Sequence, residues 1–368
     1  MASLTNSLTT PLYILESGYL MTVPLAQDGG MTTWVLVDKN RLPNQRDILC
    51  SCETFRKRCL VSDNSMGNTT EGIVHGIVSV FCPGNFRGRG YAARHMKELA
   101  TVLRDWQPED GMVVGSVLYS DVGKEYYTRL GWTPNPVSGH LVLPPARMEI
   151  PAGSRPIFES ELESLCLRDQ AVMRNDMATP SASRKRVVIL PDLDHMLWHV
   201  HKEDFATKQI FGKKAVINGA IAGAAGKQVW ATWVLRYYRH PNHHSTEDAD
   251  DKSVLYILRL VVEGDETANK PREGNITMPM EDYAEQAAAL KAVLQAAQAE
   301  AADWRLDQVQ LWDPSPMVKC LLDRSGLDAV YIERQSHSIA SLLSFEDGEG
   351  LGSEDAPILI NNEHYAWC

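Results

Sequence analysis

Residues Val78–Leu99 read VSVFCPGNFRGRGYAARHMKEL. A β-branched, apolar run, Ile73 to Phe81, ends in a glycine–arginine loop, and a segment with helical periodicity begins directly after it. Ala92, Met96, Leu99, Leu103 and Trp106 recur at alternating steps of four and three, which marks one face of an amphipathic helix. Glycines at such a junction let backbone N–H groups converge at the positive end of the helix, so the arrangement predicts a bound anion.

Two phosphate-binding patterns overlap here. Gly88-x-Gly90-x-x-Ala93 fits a dinucleotide loop, and Arg87-x-x-Gly90-x-Ala92 fits the acyl-coenzyme A loop. The ATP-binding P-loop is excluded, because no Gly-Lys-Ser/Thr follows Gly84 at the required spacing. A Rossmann loop has its first glycine directly after the strand and near the start of its domain. Here Pro83-Gly84-Asn85-Phe86 intervenes and a substantial stretch precedes the strand. Two arginines inside the loop also suit a multiply charged ligand, and the balance moves to coenzyme A.

Outward from the loop, the 368-residue chain is long enough for two domains with cores of their own. Its net charge of −11 argues against a general binder of nucleic acid or anionic membranes. The seven cysteines are scattered with no CxxC pair, so neither a disulfide framework nor a zinc finger is expected. No signal peptide or transmembrane run is evident, and the expected setting is reducing and cytoplasmic.

Along the chain, residues 1–150 read as alternating strands and helices, an α/β or α+β sheet domain. Strands are expected at Thr33–Val37, Ile73–Phe81 and Met112–Tyr119, and helices at Asn44–Leu60, at 92–106 and before Gly131. Residues 151–185 read as a linker around a short helix, Phe158 to Leu167. Residues 186–368 form a second domain with strands at Gln228–Arg239, Ser253–Val262 and Val309–Trp312. An alanine-rich helix is expected at Glu281–Trp304, and another ends near Gly326. The order of elements repeats that of the first domain, but no RxxGxG/A lies between Val262 and Glu281, and Leu322 stands where Tyr127 stands in the first. The second domain is expected to be a degenerate copy that has lost the cofactor loop.

Together with the loop, residues 115–132, GSVLYSDVGKEYYTRLGW, resemble the GNAT superfamily of acetyl-CoA-dependent N-acetyltransferases. In that superfamily a strand leads into a helix of the form N-x-x-A-x-x-F-Y-x-[KR]-x-G-[FW]. Ser120 stands for the Asn, Gly123 for the Ala, and Tyr126-Tyr127-Thr128-Arg129-Leu130-Gly131-Trp132 follows. The chain also resembles the fungal L-lysine N6-acetyltransferase family, through Ser120-Asp121-Val122-Gly123, the Trp198-His199 pair in DHMLWHVHKEDF (194–205) and the terminal Ala366-Trp367-Cys368.

These resemblances imply a GNAT fold in the first half and a coenzyme A site drawn from Val78, Val80, Arg87, Gly88, Arg89, Gly90, Tyr91, Ala92 and Ser120. They imply acetyl-CoA as cosubstrate, no metal, and a small amine or amino acid as acceptor, free L-lysine first. Tyr127 is the implied proton donor to the departing thiolate, and a backbone N–H between Val78 and Val80 the implied oxyanion donor. A base or a desolvating pocket is also needed, since only about one alkylamine in two thousand is neutral at pH 7. The family's Glu falls near Gly76, which makes His75 the first candidate, with Glu71 or a relayed water as alternatives. Asp192, Asp194 or Glu203 could face a cationic substrate, and the terminal carboxylate of Cys368 could reach the site. His195, His199 and His201 invite a metal reading, but no third ligand is placed by sequence. A protein acetyltransferase, a tailoring enzyme of secondary metabolism and a non-catalytic coenzyme A binder stay open, as does the oligomeric state.

Overall fold

The computed structural model describes residues 7–62, 67–180, 185–241, 252–264, 283–345 and 357–367. In chain order these carry α1 (Thr10–Leu20), β1 (Met31–Val37), β2 (Ile48–Ser62), β3 (Thr69–Phe81), α2 (Tyr91–Leu103), β4 (Met112–Ser120), α3 (Glu125–Thr128), β5 (Thr133–Pro134) and β6 (Gly139–Leu143). Then come β7 (Ser154–Ile157), α4 (Leu162–Ala178), β8 (Arg186–Ile189), α5 (Leu193–Phe211), β9 (Gly219–Ala222), β10 (Val229–Arg236) and β11 (Val254–Val262). The chain closes with α6 (Ala284–Asp303), β12 (Gln308–Trp312), α7 (Pro316–Ser325), β13 (Val330–Glu333), β14 (Ile339–Ser344) and β15 (Ile358–Leu359). Cys368 lies outside the described residues, as do most of the His-rich segment after Pro241 and the stretch between Gly264 and Tyr283.

The fold is mixed α/β, with two sheets. The first runs β15-β8-β2-β3-β4-β14-β5 with β1 on β2, and the second runs β13-β6-β12-β11-β10-β9-β7. The sheets do not divide where the sequence was cut. β6, inside 1–150, joins the second sheet between β13 and β12, while β8, β14 and β15 from the far end of the chain complete the first. The stretch 151–185 holds an edge strand of the second sheet and the helix α4, which is longer than the sequence suggested.

The expected helix over Asn44–Leu60 is instead the strand β2. Cys50, Cys52 and Thr54 are buried at alternate positions, the two-residue period of a strand. β2 pairs with β3 along one edge, and with β1 and then β8 along the other. Ladders on both edges satisfy its backbone, and this tertiary pairing overrides the helix preference of its Glu, Lys and Arg residues.

Each sheet has one outer and one inner face. Met96, Leu99 and Leu103 of α2 pack with Ile77, Leu118 and Trp132 on the outer face of the first sheet. The helices α6 and α7 cover the outer face of the second, where small residues such as Ala297 and Ala301 let α6 approach closely. The inner faces share a core in which Val74, Val114 and Val117 of the first sheet meet Trp230, Val234, Leu258 and Trp312 of the second. β10 and β11 are buried on both faces, which accounts for their near-continuous apolar sequence.

The C-terminal segment 361–367 lies in this shared core and bonds to both sides. Lys57 Nζ donates to the Ala366 carbonyl (2.8 Å), and the Tyr365 hydroxyl donates to that of Ile189 (2.5 Å). On the other side, Glu363 pairs with Arg259, and its second oxygen accepts the Leu260 N–H (2.7 Å). Gly76 leaves room for Lys57 to pass, since a Cβ there would meet the lysine Cε at 2.3 Å.

Glu363→Ala would leave Arg259 with Asp169 alone and orphan the Leu260 N–H. Breaking a buried ion pair by removing one partner costs about 3–5 kcal/mol. We expect a fall of that size in urea-denaturation free energy; a loss below about 1 kcal/mol would show that the segment is not anchored there.

Candidate active site

The parallel pairing of β3 with β4 runs from Gly72↔Met112 to Ile77↔Leu118 and stops there, although β3 continues to Phe81 and β4 to Ser120. Beyond Ile77 the two strands splay. On its other edge β3 passes from Glu53↔Val78 to Ser51↔Phe81, so it carries one more residue than β2 over this stretch. Ser79 takes the strain of that bulge at φ +55°, in the left-handed region. A bulge re-aims the strand's backbone, here at Val78–Val80 beside the splay. The mirror-like edge on β4 begins with Tyr119, whose hydroxyl donates to Asn362 Oδ1 (3.0 Å).

The glycine–arginine loop leaves β3 through a 3-10 turn, Gly84–Phe86, and delivers the chain to the N-terminus of α2. Gly88 (φ +73°) and Gly90 (φ +79°) both hold left-handed conformations, and a Cβ at either would meet nothing within 4 Å. Their open faces, with the first N–H groups of α2, make a cradle suited to phosphate. Arg87 Nε donates to the Cys82 carbonyl (2.9 Å), which fixes the loop's base, and Arg89 lies over the ring of Phe86. Tyr91 and Ala92 open the first turn of α2.

Across the splay, Ser120 ties the turn into α3. Its hydroxyl donates to the Gly123 carbonyl (2.7 Å) and accepts the Val122 N–H (3.2 Å). That turn sets Tyr127, which is buried against Tyr126 and Trp132. The Trp132 indole in turn donates to Ser116 Oγ (3.1 Å), so the phenol is positioned by a packed aromatic on β4. Burial pushes the Tyr127 phenol well above its usual pKa, with smaller contributions from Tyr126 and Asp121, and keeps it protonated. Burial likewise pushes Cys50 up to about 11 and Cys52 up to about 12, so both stay thiols at neutral pH.

The other residues singled out from sequence lie elsewhere. His75 stands opposite Ser116, before the splay, and is buried with its Nε2 3.2 Å from the Trp106 carbonyl. Burial holds its imidazole below the usual pKa. Asp192 caps α5, accepting the His195 N–H (3.1 Å) and lying 2.7 Å from His195 Nδ1. Both Asp192 and Asp194 feel Arg58, which pairs with Ile73. From Arg58 to Glu53, level with the splay, is five residues of strand, about 17 Å. The fold therefore does not bring the two aspartates to the splay. Glu203 is buried against the second sheet, where it accepts the Leu235 N–H. Among the described residues no group of three or more His, Cys, Asp or Glu is placed to hold a metal, and no helix is long and apolar enough to cross a membrane.

Sequence reading missed the side of the splay built by distant segments. Tyr119 approaches Trp312 (6.1 Å between ring centres), and Trp312 packs edge-on against His364 (4.5 Å). Arg236, at the end of β10, and Arg334, after β13, are buried beside the same histidine. No local motif marks these residues; only the pairing of the two sheets assembles them.

Gly90→Ala tests the loop geometry. Because its Cβ would point into open space, the cost should be conformational only, about 1–2 kcal/mol. Chemical denaturation should show a loss in that range, and no loss would mean that Gly90 does not hold the left-handed conformation.

Residues 140–368 match the family described as the LYC1 GNAT-like C-terminal domain. Among curated proteins, none matches the chain. Solved structures of similar arrangement include a GCN5-related N-acetyltransferase from Kribbella flavida (14% identity, TM-score 0.43), with 91% of this chain and 65% of that one covered. Eis1 from Mycobacterium abscessus is 10% identical at TM-score 0.43, covering 91% of this chain and 70% of that one. The Saccharomyces cerevisiae N-myristoyltransferase with bound myristoyl-CoA is 8% identical at TM-score 0.49, again with 91% and 70% covered. The chain thus spans about two thirds of the length of these proteins, and just under that of the Kribbella protein. The family match covers more than half of the sequence, and the chain belongs to the family described as the LYC1 GNAT-like C-terminal domain.

Proposed function

We propose that this protein transfers an acetyl group from acetyl-CoA to the amine of a small molecule, with the ε-amine of free L-lysine as the first acceptor. The observation that carries this reading is the splay itself. A bulged strand leads into a left-handed glycine loop at a helix N-terminus, and a buried tyrosine packs in the cluster that holds Ile77 and Leu118, the last β3–β4 pair.

In this reading Gly88, Arg89, Gly90, Tyr91 and Ala92 hold the pyrophosphate, with Arg87 bracing the loop. The pantetheine arm runs between β3 and β4, and the thioester reaches Val78–Val80. A neutral amine attacks the thioester carbonyl, forming the N–C bond, and a backbone N–H of the bulge receives the developing oxyanion. As the C–S bond breaks, Tyr127 supplies a hydrogen bond and a proton to the departing thiolate. The amine's surplus proton leaves to solvent or to a base, and a proton from solvent restores the Tyr127 phenol. With its Nε2–H on the Trp106 carbonyl, His75 would serve as that base only through Nδ1.

In this reading the inner face of the second sheet, with the C-terminal segment against it, walls the acceptor side of the splay, where Tyr119 packs against their shared core. A walled groove favours a small acceptor over a protein tail, since it can bury a small ligand on most sides. That is the ground for preferring a free amino acid to a peptide substrate.

Tyr127→Phe removes one hydroxyl and little volume. General acid catalysis contributes typically 10²–10⁴-fold, so kcat should fall by about that factor while acetyl-CoA affinity hardly moves. A single-turnover rate near that of the wild type would remove Tyr127 from the chemistry. Thiol release with acetyl-CoA and either free L-lysine, other free amines or lysine peptides tests the acceptor. Free lysine should be the most efficient; turnover of peptides alone would overturn the enclosed-groove reading.

A further inference from the structure

His364 is buried to 1% exposure, yet neither of its ring nitrogens has a hydrogen-bond partner among the described residues. Its ring is fixed by stacking on Tyr256 (3.9 Å between centres, 11° between planes) and on Trp367 (5.3 Å, 14°), with Trp312 against its edge. Two guanidinium groups flank it. Arg334 lies over Trp312 at 4.0 Å, and its Nη2 reaches Asp313 at 3.4 Å, while its Nε and Nη1 are buried without partners among the described residues. Arg236 gives its Nη2 to His199 Nδ1 (3.0 Å), and its buried Nε is likewise unpartnered. His199 is locked in this role, since its Nε2 donates to the Tyr365 carbonyl, and its ring lies 5.4 Å from that of His364.

Three guanidinium N–H positions and both nitrogens of an imidazole are thus buried without partners among the described residues, and both arginines lie close enough to act on His364. Leaving a buried donor unpaired is costly, and native interiors pair the large majority of such side-chain groups. This concentration of unpaired donors around His364 fits a ligand that accepts from all of them.

Charge balance sets the class of ligand. Arg236 and Arg334 bring two positive charges and Asp313 returns one negative charge. Of the acids that act on Arg236, Glu16 is paired with Lys202, and burial pushes Glu203 up to about 8, so neither supplies a free negative charge. One negative charge restores neutrality, as a carboxylate would, whereas a phosphate dianion would overshoot. Planar carboxylates also suit bidentate guanidinium donors. The place adjoins the splay: His364 touches Trp312, and Trp312 touches Tyr119, the first residue of β4 beyond the last β3–β4 pair.

We propose that Arg236, Arg334 and His364 form a carboxylate-binding site at the far end of the acceptor groove, so that the enzyme selects an amine that also carries a carboxylate. This rests on the acetyltransferase reading above and adds to it the residues that exclude a plain amine.

The test compares the full chain acting on L-lysine, on L-lysine methyl ester and on cadaverine, which keeps the alkylamine and lacks the carboxylate. Hydrogen bonds to charged groups are worth roughly 1.5–3 kcal/mol, so kcat/KM should favour lysine by about 10- to 100-fold over either analogue. His364→Phe keeps the ring stack and deletes both nitrogens, and Arg334→Met removes one guanidinium. Each should bring the lysine-to-cadaverine ratio down towards one, through a higher KM for lysine. Equal use of lysine and cadaverine by the wild type would overturn the proposal. So would a His364→Phe variant that keeps full lysine preference, whatever its melting temperature. If no amine is acetylated, the acetyltransferase reading fails and calorimetry judges the site alone. Binding of lysine but not of its methyl ester, lost in His364→Phe, would uphold the site, and no binding of either would overturn it.

Discussion

The structure depends on one buried cation. Arg259, in the middle of β11, donates from Nε and Nη2 to the two oxygens of Asp169 on α4 (2.7 and 2.8 Å) and from Nη1 to Glu363. All three groups are buried, so each charge is tolerated only because the others are present. Glu363 is thereby fixed, and with it the chain that follows. His364 is set between Tyr256 and Trp367, Tyr365 reaches β8, and Ala366 meets Lys57. One guanidinium thus orders a helix, a strand of the second sheet and the segment 361–367 that bonds to both sheets.

The same interaction explains how two similar halves come to differ. β11, α6 and β12 repeat the plan of β3, α2 and β4, a parallel pair joined by a helix. β11 also carries an extra residue against β10, at Leu258, just beyond the last β11–β12 pair at Ile257↔Leu311. In the first half the matching position is Ser79. Two residues beyond each bulge stand Leu260 and Phe81. The Leu260 N–H is taken by Glu363, and Asn361 and Glu363 line the small gap between β11 and β12. A carboxylate therefore occupies this gap in the second half. The second half repeats the architecture, and Asn361 and Glu363 stand in its gap.

How much of this was legible in the sequence follows from the range of each interaction. The loop at Arg87–Ala92 and the strand and helix around it were readable because glycines, β-branched residues and helical periodicity are local signals. The same holds for the run from Ser120 to Trp132, whose turn and aromatic clamp close within a dozen residues. β2 was misread because its identity comes from pairing on both edges, although Cys50, Cys52 and Thr54 carried the alternation that could have given it away. The exchange of β6, β8, β14 and β15 between sheets, and the convergence of Arg236, Arg334 and His364, had no local signal at all. These residues are up to 128 positions apart in the sequence and meet only once both sheets exist.

The central claim is that one cleft of the two, the first, is built to take coenzyme A, and amide hydrogen exchange in the presence and absence of the cofactor tests it most directly. Coenzyme A should slow exchange across Val78–Arg94, covering the bulge, the loop and the first turn of α2, and leave β11 from Leu258 to Val262 as it was. Protection at Leu258–Val262 with none at Val78–Arg94 would place the cofactor in the wrong half and contradict the account.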